Sequence, residues 1–110
     1  MGLLDFLEER PLEPDDVDRA RAAVDAAMGS GGVLVQAVWR PGDRYVGCLR
    51  VIDLQTQSDG RGERAERIRQ VLRTAGYDAH VKGSARASWP DVEATRLLAA
   101  EWRRRQAAAG

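Results

Sequence analysis

Residues 62–82 read Gly-Glu-Arg-Ala-Glu-Arg-Ile-Arg-Gln-Val-Leu-Arg-Thr-Ala-Gly-Tyr-Asp-Ala-His-Val-Lys, and this stretch decides the fold class. Between Gly62 and Ala75 the apolar residues Ala65, Ile68, Leu72 and Ala75 recur at three- and four-residue intervals, with Val71 beside them. That spacing gathers them on one face of a helix. Gly76 closes the helix, because glycine turns left-handed without a Cβ penalty. The period then switches to two. Tyr77, Ala79 and Val81 alternate with Asp78, His80 and Lys82, the pattern of a half-buried strand.

Upstream, Val33–Arg40 predicts another strand, with Val33, Val35, Ala37 and Trp39 on one face and Leu34, Gln36 and Val38 on the other. Both faces are partly apolar, which is the composition of a central strand. Pro41-Gly42-Asp43 is turn chemistry, and Tyr45–Gln55 predicts the returning strand of an antiparallel hairpin. Gly47 inside it marks a bulge or a close packing partner. Before the hairpin, Asp15 is placed to cap a helix whose face is Val17, Ala20, Val24, Ala27 and Met28, and Gly29 ends it. Gly29-Ser30-Gly31-Gly32 runs from helix to strand, the wrong polarity for a phosphate-cradling loop.

Downstream, Ser88-Trp89-Pro90-Asp91 is a helix-start signature. It predicts a last helix over residues 90–105, with Leu98 and Trp102 on one face, residues 85–88 as a short fourth strand and residues 107–110 frayed. The expected order is α-β-β-α-β-(β)-α. This is an α+β class, a small two-layer sandwich with a three- or four-stranded mixed sheet and helices packed on it. The 110 residues suit one domain over 15–106, preceded by an acidic segment over 1–14.

The formal net charge of zero is a cancellation. Residues 1–18 carry seven acids and one base, a net of −6, and residues 19–110 carry a net of +6. Such a split predicts contact between the two parts of the chain or with a charged partner. In the acidic part, Leu3, Leu4, Phe6 and Leu7 form a short apolar stripe suited to docking on a groove of the same molecule, of a second copy or of another protein. The basic candidates for phosphate contact are Arg61, Arg64, Arg73, Arg103, Arg104 and Arg105. In the middle helix Glu63 and Glu66 offset Arg67 and Arg69 at helical spacing.

Other chemistry finds little support in the residue pattern. Cys48, His80 and Asp78 include the only cysteine and the only histidine. They form a nucleophile–base set only if the second and third strands are neighbours. The apolar surroundings of Cys48 favour a structural thiol. No metal-ligand spacing is present, so neither metal nor cofactor is expected. No apolar run approaches the roughly 20 residues of a membrane span. With a lone cysteine and no basic leader, the expectation is a cytoplasmic protein.

Arg67 to Ser84 resembles the helix-Gly-strand-Lys-Gly-Ser stretch of HicA-type toxins, small RNA-cleaving proteins with a double-stranded-RNA-binding-like fold. That family's catalytic histidine follows Gly-Ser directly. Here the position is Ala85, so the resemblance implies no RNA-cleaving activity. Two functional expectations remain. The first is a non-enzymatic protein-interaction module that self-associates. The alternative is a small nucleic-acid-binding protein, with the acidic N-terminus as internal competitor.

Overall fold

The computed structural model describes residues 9–29, 31–39, 42–54, 61–82 and 91–109. The 3.6-residue stripes form helices α1 (Asp16–Met28) and α2 (Arg61–Thr74). The alternating segments form strands β1 (Val33–Val38), β2 (Cys48–Asp53) and β3 (Tyr77–Lys82). A fourth strand, β4 (Asp91–Leu97), and a last helix, α3 (Ala99–Ala109), complete the order α-β-β-α-β-β-α. The sheet order is β1-β2-β4-β3. Every adjacent pair is antiparallel, so the sheet is not mixed.

The last third of the chain departs from the expected helix over 90–105. Residues 91–97 are strand, and the helix runs on to Ala109. Asp91-Val-Glu-Ala-Thr-Arg-Leu97 contains helix formers, yet Val92 and Ala94 alternate inward with period two. Lying between β2 and β3, the segment gains a hydrogen-bonded ladder on both sides, which overrides its helical propensity. The pairs Tyr77–Leu97 and Ala79–Ala94 leave one extra residue on β4. This bulge turns Leu97 back onto the core face, where it is fully buried. The short strand expected at 85–88 and the helix-start signature at 88–90 lie outside the described residues.

A second bulge opens β2. Gly47 N–H donates to the Val38 carbonyl at 2.9 Å, although Val38 is the register partner of Cys48. Two residues therefore oppose one, and a Cβ on Gly47 would stand 3.2 Å from that carbonyl. The bulge sends Val46 into the core while Cys48 points to the other face, separating two residues that strict alternation would keep together.

The strap from Glu9 to Pro14 crosses both bulges. Leu97 N–H donates to the Arg10 carbonyl and Val46 N–H to the Leu12 carbonyl. Leu12 is fully buried. Its side chain joins Ala20 and Val24 of α1, Ile68 and Leu72 of α2, and the inward residues Val35, Leu49, Val51, Ala79 and Val92 of the sheet. Burying a leucine in this way contributes about 1.5–3 kcal/mol. Helices α1 and α2 thus form one layer on one sheet face, and Trp102 of α3 packs against the same core.

The expectation of β1 as a central strand is overturned: it lies at the sheet edge, and β2 and β4 are the central strands. The mixed apolar character of its two faces has no second neighbouring strand among the described residues.

Candidate interaction surface

Three groups of side chains could carry function, and each is positioned by a different part of the fold. The first joins the acidic part of the chain to its basic end. Asp16, at the start of α1, is fully buried. Its carboxylate accepts hydrogen bonds from Tyr77 Oη at 2.6 Å, Arg105 Nη2 at 2.8 Å, Arg105 Nη1 at 3.2 Å and the Glu13 backbone N–H at 2.7 Å. Burial pushes the Asp16 carboxyl up, but the bonds from Arg105, Tyr77 and Glu13 outweigh it and hold the carboxyl below its ordinary value. Burial, and the carboxylate beside it, raise the Tyr77 hydroxyl. Arg105 also donates to Glu101 at 3.0 Å, and Glu101, with Arg104 and Arg105 on it, is pulled down to about 2. Asp15, the expected cap, makes no capping bond and pairs with Arg19 at 3.0 Å. Asp16 instead accepts from the Glu13 N–H, ahead of the helix.

The second group is the sheet face turned away from α1 and α2. Across it the register sets Leu34, Ile52, Asp91 and Lys82 in one row and Gln36, Arg50, Glu93 and His80 in the next. The face therefore grades from apolar at β1 to charged at β3. Arg50 pairs with Asp91 and lies 3.7 Å from Glu93. Asp78 receives His80 Nε2 at 3.0 Å, Arg96 Nε at 2.9 Å and Arg73 Nη1 at 3.3 Å. Its burial is offset by Arg96, then by His80 and Arg73, so its carboxyl is lowered overall.

Cys48 and His80 are not on neighbouring strands, because β4 separates β2 from β3. Two strand spacings and an offset of two residues along the strands put them about 12 Å apart, beyond a nucleophile–base hydrogen bond. The Cys48 thiol contacts the Leu49 carbonyl at 3.5 Å, and burial raises its pKa. Among the described residues no cluster of three metal-ligating side chains occurs, and no helix is long and apolar enough to cross a membrane.

The basic candidates are dispersed. Arg64 is bound to the buried Asp53, Arg73 to Asp78, Arg104 to Glu101, and Arg105 to Asp16 and Glu101. Arg61 opens α2, and Arg103 is exposed on α3. Arg67 turns to the Ala27 carbonyl at 3.4 Å. Leu3, Leu4, Phe6 and Leu7 lie outside the described residues.

The third group is β1 with the loop after it. Val38 is 52% exposed, Trp39 48%, Tyr45 44% and Leu34 39%. Leu54 N–H donates to the Gly32 carbonyl, which makes Gly32–Leu54 a hydrogen-bonded pair. The alternation then turns the backbone groups of Leu34, Gln36 and Val38 toward β2, and those of Val33, Val35 and Ala37 toward the outer edge, where no other described strand pairs with them. The apolar pattern of β1 is legible in the sequence but its exposure is not, because a periodicity does not say which strands will be neighbours.

Set against protein-family models, curated proteins and solved structures, the chain matches none of them.

Proposed function

We propose that this chain is a small non-enzymatic protein-interaction module that presents the β1 side of its sheet. The observation that carries the reading is the position of β1: a strand with the composition of a central one lies at an edge, beside exposed Leu34, Val38 and Trp39. Exposed edges without charge are templates for another chain. The apolar stripe Leu3, Leu4, Phe6 and Leu7 is a second docking element in this reading. A cytoplasmic setting belongs to the same proposal, since the lone Cys48 can form no internal disulfide and suits a reducing compartment.

Phosphate contact is the weaker reading. Arg64, Arg73, Arg104 and Arg105 are each already engaged by a carboxylate, whose negative charge opposes a phosphate brought to the same guanidinium. Oligonucleotide titration at low salt tests it, and tight binding would favour it.

The reading is tested by a photo-crosslinking residue in place of Trp39, with Gln70 on the exposed face of α2 as control. The expected result in the native host is a discrete protein adduct from position 39 and none from position 70. Absence of an adduct at position 39, or equal labelling at both, would refute it.

A further inference from the structure

We propose that β1 pairs with β1 of a second copy of this chain, antiparallel about a twofold axis at Val35, so that two four-stranded sheets join edge to edge. The proposal rests on the interaction-module reading above and names its partner.

The two edges of the sheet differ. At the β3 edge the outward side chains are Asp78, His80 and Lys82, with Arg73 and Arg96 gathered on Asp78. Charge of this kind is how natural sheets prevent edge-to-edge pairing. The β1 edge has no such guard: Val33-Leu34-Val35-Gln36-Ala37-Val38 contains no charge, no proline and no glycine. A strand of that kind left open is an association hazard unless something covers it.

A second copy fits for reasons of register. The outward backbone groups belong to Val33, Val35 and Ala37. With the twofold axis at Val35, Val35 meets the partner's Val35, and Val33 meets the partner's Ala37. All three outward N–H groups and all three outward carbonyls are then satisfied on each copy, and the contact closes on itself. Leu34 lies opposite the partner's Gln36 in a close, non-hydrogen-bonded pair, with no like charges facing each other. One step beyond the strand, Trp39 comes to the partner's Gly31. A Cβ built on Gly31 meets nothing within 4 Å, so the chain itself leaves that side of the glycine open. A strand edge is a small interface, below the about 1,200 Å² of typical stable complexes, so the dimer should be weak and concentration-dependent.

The experiment is sedimentation equilibrium of the full chain up to about 1 mM, a range that captures weak association. The wild type should shift from 12.1 kDa toward twice that mass. Two double variants test the register. Leu34→Glu/Gln36→Glu sets like charges opposite each other twice across the axis and should weaken the dimer about tenfold. Leu34→Lys/Gln36→Glu sets opposite charges at the same places and should retain it. The two share the change at Gln36, which lies opposite Arg50 within the chain. Unchanged far-UV circular dichroism in both controls for folding. A wild type that stays monomeric throughout overturns the second copy, while a crosslink from position 39 to a different protein would leave the interaction-module reading standing. A dimer indifferent to the charge at position 34 overturns the β1 edge as its site.

Discussion

Replacing Arg105 by alanine removes the cation that holds Asp16. The two residues are 89 positions apart, so the contact joins the start of α1 to the end of α3. Asp16 is fully buried, and without Arg105 it keeps only Tyr77 and the Glu13 N–H. Breaking a buried ion pair on one side costs about 3–5 kcal/mol, because a buried charge is left uncompensated. A chain of this size has about 5–15 kcal/mol in total, so the loss should be visible as a large fall in the urea midpoint. The pH dependence gives the sharper signature. In the wild type the Asp16 carboxyl is lowered. Its stabilisation is therefore complete above the ordinary carboxylate range and is lost as the pH falls through its own depressed value. In Arg105→Ala burial acts without its cation, so the carboxyl rises and the charged form is the destabilised one. The variant should therefore lose less stability than the wild type as the pH falls below the ordinary carboxylate range. Arg105→Met combined with Asp16→Asn should recover most of the loss, since no charge is left buried. A cost below about 1 kcal/mol, the level of an exposed pair, together with a wild-type pH slope, would refute the buried contact.

Leu12→Ala should cost about 2–5 kcal/mol in urea unfolding, because the side chain is fully buried where the strap crosses both bulges. Gly76→Ala should cost about 1–3 kcal/mol, since Gly76 has φ +107 and an added Cβ would stand 2.5 Å from Glu101 Cγ. Calorimetry of the full chain measures that loss. Cys48 should react more slowly with a thiol reagent at pH 8 in the folded chain than in urea, because burial raises its pKa.

Much of this structure was legible from periodicity, and the misses have physical causes. Helix α2 and strand β3 were clear because the period changes from 3.6 to two at one glycine. The hairpin of β1 and β2 was clear because turn chemistry separates two alternating runs. Strand β4 was misread because Glu93, Ala94, Arg96 and Leu97 are good helix formers and a capping signature precedes them. Only the gap between β2 and β3 makes the extended form better. The edge position of β1 was not legible for a related reason: strand order is a long-range property, and β4 took the central place beside β2. In the candidate site, the acidic and basic parts were expected to find partners, and Asp16 with Arg105 is such a pair. Its identity was hidden because pairing across 89 residues leaves no local spacing. The Asp78 cluster was half visible, since Asp78 and His80 share a strand face, whereas Arg73 and Arg96 arrive from α2 and β4.

The central claim is that the free edge of β1 is paired in solution. Residue-resolved amide hydrogen exchange tests it most directly. Leu34, Gln36 and Val38 donate toward β2, so their amides should be protected at every concentration. Val33, Val35 and Ala37 donate outward, so their amides should exchange freely in dilute protein and become protected as the concentration rises. Free exchange at all three outward positions in concentrated protein would contradict the account.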